Sequence, residues 1–133
     1  MFHIGDGATA VFDRDGNEIF TSQPENGEYL NLTYFLVEDN WREHLRSNVV
    51  YGAVSEIFLM TDGVTDLGYV RNGRVLTPES KFFKPLSSFL CKKERYVGEA
   101  ALKRSLDSEG ARELVDDDKT IIWMKLLDHV VIE

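Results

Sequence analysis

The stretch that decides the fold runs through residues 56–66 and reads Glu56-Ile57-Phe58-Leu59-Met60-Thr61-Asp62-Gly63-Val64-Thr65-Asp66. Its apolar run, Ile57-Phe58-Leu59-Met60, is typical of a strand that is buried on both faces. Polar residues and glycine follow at once, so the strand ends near Met60 and Asp62 lies at a strand-to-loop junction. A short carboxylate at the end of a buried strand predicts a ligand for a divalent metal ion.

Acidic residues flank two further predicted strands. Asp6 follows the run Phe2–Ile4, and Asp116-Asp117-Asp118 precedes the run Thr120–Leu127, just as Asp62 and Asp66 follow the central strand. Carboxylates at strand ends can converge at one edge of a sandwich, where hard cations find several oxygen ligands. Two plainer interpretations stay open, because Asp-Gly pairs are ordinary turn formers and a run of three aspartates is often a solvated loop.

The remaining pattern predicts an α+β fold in a single domain, residues 1–133. Further strands are expected at Ala8–Asp13, Glu18–Thr21, Thr33–Val37 (within Leu30–Val37) and Asn48–Val54, with a hairpin turn at Asp15-Gly16. Residues 38–47 are charged and fit either a loop or a brief helix. Two C-terminal helices follow, one from Ser80 with Pro85 tolerated only in its first turn, and one over Tyr96–Ser108 that Gly110 ends as a C-cap.

The composition is that of a soluble globular domain. The chain has 133 residues, of which 43% are hydrophobic and 29% charged, and its formal net charge is −8. This charge argues against a nucleic-acid partner. No apolar run approaches the length of a membrane span, and the lone Cys91 has no internal disulfide partner, so we expect a cytoplasmic location and a buried structural cysteine.

Other metal and nucleophile motifs are weak. The segment Asp13-Arg14-Asp15-Gly16-Asn17 places its glycine too early for an EF-hand loop, and the closing Glu is missing. The three histidines, His3, His44 and His129, lack the partner spacing of a zinc site. Cys91 has no recognisable base or phosphate-binding loop beside it, so a thiol nucleophile is not expected.

Three acidic motifs together resemble a known family. Ile4-Gly5-Asp6-Gly7, the stretch from Phe58 to Asp66, and Asp116-Asp117-Asp118-Lys119-Thr120 are similar, in order, to the last three acidic motifs of the metal-dependent (PPM, type 2C) protein serine/threonine phosphatases. The segment Gly27–Leu36 resembles the bacterial branch of that family. The resemblance runs along nearly the whole chain and implies part of an α-β-β-α sandwich with mainly antiparallel sheets.

The resemblance also implies a function and a ligand set. Asp62 and Asp117 match the carboxylates that hold a catalytic pair of Mg²⁺ or Mn²⁺ ions, and Asp6 and Asp66 match positions of a third, weaker metal site in some members. Asp118 stands where many members have Asn, which predicts that it tunes the site rather than binding the metal. The implied reaction is hydrolysis of phosphoserine or phosphothreonine in a phosphoprotein by a metal-activated water.

The chain departs from the family pattern in one respect. The Asp-Gly-x-Gly motif that bridges both metals, the phosphate-binding Arg and the candidate general-acid His have no match here. One hypothesis is therefore that the chain is the C-terminal half of a phosphatase domain, which is active when complete, and that the chain is inactive alone. The alternative is a non-catalytic, phosphatase-like interaction or regulatory module. Either way an open apolar face requires a partner, which predicts a complementing N-terminal half or a homodimer.

Overall fold

A computed structural model describes residues 1–24, 33–73 and 75–126. The strands are β1 (Phe2–His3), β2 (Ala8–Phe12), β3 (Glu18–Ser22), β4 (Arg46–Ser47), β5 (Glu56–Met60), β6 (Tyr69–Asn72), β7 (Val75–Pro78) and β8 (Ile121–Lys125). The helices are α1 (Trp41–His44), α2 (Asp62–Gly68), α3 (Ser80–Leu90), α4 (Arg95–Leu106) and α5 (Glu109–Leu114). The predicted α+β class is confirmed.

The centre of the fold is a four-stranded antiparallel sheet in the order β3-β2-β5-β8. β5 lies between β2 and β8. Its predicted burial on both faces holds for one face only, because Phe58 and Met60 are buried whereas Ile57 and Leu59 are half-buried. Two small antiparallel pairs, β1 with β4 and β6 with β7, accompany this sheet. Antiparallel sheets of this kind, with helices on a face, are consistent with the sandwich that the resemblance implied.

Helix α3 covers one face of the sheet. Phe83 projects from α3 into the core, and its ring lies 5.2 Å from Phe12, 5.1 Å from Phe58 and 5.4 Å from Tyr69, measured between ring centroids. The buried cluster also holds Ala8, Ala10, Met60, Val64 and Leu76. Apolar burial of this kind contributes most of the free energy of folding, and it fixes β5 in the middle of the sheet.

Several predicted elements are confirmed with small changes of boundary. The predictions for β2, β3, β5 and β8 hold within the described residues, and the two expected C-terminal helices are α3 and α4. The hairpin turn is also confirmed, because Gly16 has a φ of +75° and its amide donates to the carbonyl of Asp13 at 3.2 Å. Residues 38–47 form a brief helix, α1, followed by β4.

Two predicted strands are wrong. Over residues 33–37 the structure has only an isolated bridge at Thr33, and the backbone then turns, with the amide of Glu38 donating to Phe35 at 3.1 Å. The part of that prediction over residues 30–32 lies outside the described residues. Asn48–Val54 forms no strand either. Val49 and Tyr51 are largely exposed there, so their β propensity finds no neighbouring strand to pack against.

The helix boundaries also needed correction. Asp62 does not enter a loop, because helix α2 begins at that residue. Pro85 is the sixth residue of α3, not part of its first turn, so the helix forgoes the hydrogen bond that residue 85 would donate to Lys81. Gly110 is not a C-cap, since it lies inside the short helix α5. The hairpin of β6 and β7 was not predicted.

Candidate metal centre

Strand register brings the predicted acidic residues to one edge of the sheet. Met60, at the end of β5, pairs with Ala8 at the start of β2 and with Ile121 at the start of β8. Asp6 lies just before β2, Asp62 just after β5, and the three aspartates of residues 116–118 just before β8. Because both neighbours run antiparallel to β5, the two loops before β2 and β8 meet the start of α2 where β5 ends.

Thr61 joins two of these loops by hydrogen bonds. Its amide donates to the carbonyl of Thr120 at 3.1 Å, and its hydroxyl accepts the Thr120 amide at 2.9 Å. The same hydroxyl donates to the carbonyl of Asp118 at 3.1 Å. The segment before β8 is therefore attached directly to the N-terminus of α2.

Two glycines allow the loops to approach closely. A Cβ atom on Gly63 would lie 2.5 Å from the carbonyl oxygen of Asp118, and one on Gly7 would lie 2.6 Å from the carbonyl oxygen of Met60. Contacts this short exclude any side chain at either position. These glycines follow Asp62 and Asp6, so each Asp-Gly pair serves the packing of the site and is not a free surface turn.

The four predicted ligands line one cavity. It has a volume of about 170 Å³, and its wall contains Asp6, Asp62, Asp66 and Asp117 together with Pro24, Gly63, Thr65, Arg71 and Val115. Asp118 is not among these residues; its backbone carbonyl faces Thr61 and Gly63 instead. The sequence therefore predicted the residues that meet here, while their role as ligands remains a prediction.

Asp62 is hydrogen-bonded within the first turn of α2. Its Oδ1 accepts the amide of Gly63 at 2.9 Å, and its backbone carbonyl accepts the hydroxyl of Thr65 at 2.7 Å. Burial raises the pKa of Asp62, and the negative charges of Asp6 and Asp117 raise it further, against the lowering effect of the Gly63 amide. The negative charges of the neighbouring aspartates disfavour the ionised form of Asp62, and a bound cation would offset this repulsion.

The donor chemistry fits a hard divalent cation, because all four acidic side chains offer carboxylate oxygens. The described residues do not supply a complete set of metal ligands. Among residues 1–24, 33–73 and 75–126, no three His, Cys, Asp or Glu side chains come close enough together to hold an ion. Further oxygen ligands would have to come from elsewhere.

Arg71 was missed by the sequence analysis. It lines the same cavity, and its guanidinium lies 4.0 Å from the carboxylate of Asp66. It is carried by β6, and residues 69–72 have no alternating pattern that would have predicted a strand. Thr61 was missed as well, because it is the N-cap of α2, a helix that the sequence analysis did not predict.

Other predicted residues lie elsewhere. Cys91 is exposed, so the prediction of a buried cysteine is wrong; it ends α3 on the outer side, where its Sγ lies 3.0 Å from the Nζ of Lys125. The ring of His3 contacts the hydroxyl of Ser22, and that of His44 stacks on Tyr34. His129 lies outside the described residues. Cys91, His3 and His44 do not line the carboxylate cavity.

Comparison with known proteins identifies the family. The family model of Protein phosphatase 2C matches residues 1–107, and the chain therefore belongs to this family. It is also similar to Serine/threonine-protein phosphatase 3 of Escherichia coli (strain K12), with 28% identity over 124 residues. That alignment covers 91% of this chain and 48% of the relative, so the chain spans about half of the relative's length. No solved structure matches the chain.

Proposed function

We propose that this chain forms part of a metal-dependent phosphatase domain that hydrolyses phosphoserine or phosphothreonine monoesters in phosphoproteins. The observation that carries the proposal is the meeting of Asp6, Asp62, Asp66 and Asp117 in one cavity, in a chain of the protein phosphatase 2C family. The similarity to a serine/threonine-protein phosphatase supports the substrate class.

In this proposal Asp62 and Asp117 would hold the catalytic pair of Mg²⁺ or Mn²⁺ ions, and Asp6 and Asp66 would contribute to a third, weaker site. When bound, such ions lower the pKa of a coordinated water toward neutrality and so supply a hydroxide nucleophile. Arg71 gives the cavity a cationic group that can attract the phosphate dianion. Thr61 and Gly63 hold the loop of Asp117 against α2, which keeps Asp117 near Asp62.

A partner completes the site. The incomplete set of metal ligands among the described residues supports this inference. The face of the sheet away from α3 supports it too, because Ile122 and Met124 on that face are 51% and 41% exposed. We propose that a polypeptide carrying the other half of a phosphatase domain covers this face; a second copy of the chain is the outcome to be distinguished from it. Sedimentation equilibrium tests the second copy, since Ile122→Lys would then convert a dimer into a monomer.

The second candidate is a non-catalytic, phosphatase-like interaction module. The absence of any close group of three metal-binding side chains within the described residues favours it. As regards location, no helix in the described part of the chain is long and apolar enough to cross a membrane. A reducing, cytoplasmic compartment is part of both proposals, since the one cysteine is an exposed free thiol.

Calorimetric titration with MnCl₂ separates the two candidates. We expect the wild-type chain to bind Mn²⁺ and the variants Asp62→Asn and Asp117→Asn to lose at least about tenfold in affinity. Asp39→Asn is the matched control, because Asp39 is exposed and is not among the residues that line the cavity. Absence of Mn²⁺ binding by the wild type, together with no hydrolysis of p-nitrophenyl phosphate, would favour the interaction module.

A further inference from the structure

A second cavity lies at the opposite end of β5. It has a volume of about 290 Å³ and is lined by the turn between β2 and β3, the start of β5 and the side of α3 that carries Phe83. The buried residues Phe12 and Phe83 form its floor, and Glu56, the first residue of β5, lies in its wall. Its volume is close to the lower end of the range seen for small-molecule sites.

The charge of this cavity is opposite to that of the whole chain. Arg14, Lys84, Lys92 and Lys125 line it, against two acidic residues, Asp15 and Glu56. The chain as a whole carries a formal charge of −8. A positive surplus in an acidic protein concentrates anions locally, because charges within about 8 Å of each other are incompletely screened at physiological salt.

Glu56 does not neutralise this surplus. One of its oxygens accepts the Ser87 hydroxyl at 2.7 Å and the Lys125 ammonium at 3.1 Å, and the other accepts the Trp123 indole N–H at 3.1 Å. Both carboxylate oxygens of Glu56 are thus already hydrogen-bonded to neighbouring side chains, and the charge of Glu56 is balanced by Lys125.

The ammonium groups of Lys84 and Lys92 are available to a ligand. Within the part of the chain that the structure describes, neither ammonium forms an ion pair or a hydrogen bond. The aliphatic chain of Lys84 packs over Gly16, where a Cβ would lie 3.3 Å from its Cε. This contact limits the positions that the ammonium can reach and keeps it beside the cavity.

We propose that this cavity binds a small organic anion, with its anionic group near Lys84 and Lys92 and its organic body over the aliphatic chain of Lys84 and the narrow exposed edge of Phe12. The proposal is independent of the phosphatase reaction, because no residue of this cavity lines the carboxylate cavity.

Isothermal titration with naphthalenesulfonate, an aromatic anion that a phosphatase cannot hydrolyse, tests the proposal. The wild-type chain should bind it, and the uncharged analogue naphthalenemethanol should bind at least about tenfold more weakly. The double variant Lys84→Glu, Lys92→Glu should lose at least about tenfold in affinity for the sulfonate. The matched control, Lys81→Glu with Lys93→Glu, makes the same change of charge outside the cavity and should stay within about twofold.

Three outcomes would overturn the proposal: no binding of the sulfonate by the wild type, equal binding of sulfonate and alcohol, or equal losses in the two double variants. Circular dichroism checks that each variant is folded. Lys84→Gln with Lys92→Gln removes the two charges without reversing them, and it replaces the glutamate variant should that variant unfold.

Discussion

Gly63 packs directly against the backbone carbonyl of Asp118, with only 2.5 Å between that oxygen and the place of a Cβ. Gly63→Ala must push the segment before β8 away from α2. We expect it to lower the free energy of unfolding by about 1–3 kcal/mol, as overpacking does, and to weaken Mn²⁺ binding. Denaturant unfolding and calorimetry measure the two effects.

Gly110→Ala is the control for this substitution. Gly110 also lies in a helix, but a Cβ there would meet nothing within 4 Å. Alanine should therefore stabilise α5 by up to about 1 kcal/mol. Equal effects of the two substitutions would mean that the close approach of Asp118 is not what makes glycine necessary at residue 63.

The charge of Asp62 should destabilise the protein in the absence of metal. Asp62→Asn keeps an oxygen for the Gly63 amide but removes the repulsion from Asp6 and Asp117. We expect the metal-free variant to melt a few degrees higher than the wild type, and to lose the further stabilisation that MnCl₂ gives the wild type. Thermal unfolding with and without MnCl₂ measures both. A lower melting temperature in the metal-free variant would contradict the inferred repulsion.

Glu56 should make stability depend on pH. Burial raises its pKa, but the hydrogen bonds from Ser87, Trp123 and Lys125 and the charge of Lys125 outweigh this, so the pKa is lowered from its usual 4.5. A carboxyl with a lowered pKa in the folded state stabilises the protein above the unfolded pKa, and this contribution is lost as the pH falls below about 4.5 through the folded value.

The measurement compares wild type with Glu56→Gln in denaturant at several pH values. At pH 7 the variant should be less stable by about 1–3 kcal/mol, since hydrogen bonds to a charged acceptor are lost. The difference should shrink as the pH falls below about 4.5. Glu113→Gln, on the exposed side of α5, should stay within about 0.5 kcal/mol of the wild type throughout. A difference for Glu56→Gln that does not change with pH would refute the inferred pKa.

Phe83 should be a main determinant of core stability. Its ring contacts four other aromatic rings, those of Phe12, Phe58, Tyr69 and Phe82. Phe83→Ala should lower the free energy of unfolding by about 3–5 kcal/mol. Phe89→Ala removes the same side chain from the same helix at a partly exposed position and should cost less than about 1.5 kcal/mol. Comparable losses would mean that α3 is not anchored through Phe83.

The sequence predicted the central sheet because its strands carry their own signal. Apolar runs and the Asp15-Gly16 turn give β2, β3 and β5 locally. The failed strands, Thr33–Val37 and Asn48–Val54, have the same propensity, but they find no partner strand within the described fold. Strand propensity is a local property and does not show whether a partner strand lies beside the segment in the folded protein.

The site was predicted for a similar reason, and only in part. Asp6, Asp62, Asp66 and Asp117 could be chosen because each lies beside a strand end that the sequence indicates. Helix α2 escaped prediction because it is seven residues long and has glycine at its second and last positions. Arg71 depends on the unpredicted β6, and no local pattern indicates that its guanidinium reaches the aspartates.

The two cavities at the ends of β5 give the chain an electric dipole. Four carboxylates lie at one end of this five-residue strand and four cationic side chains at the other, and a strand of this length spans about 13 Å. Because each chain also carries a formal charge of −8, two copies repel each other in dilute buffer whichever ends face, and added salt weakens that repulsion over a Debye length of about 8 Å at 0.15 M. Any self-association measured in dilute buffer therefore understates what the same molecules do at physiological ionic strength.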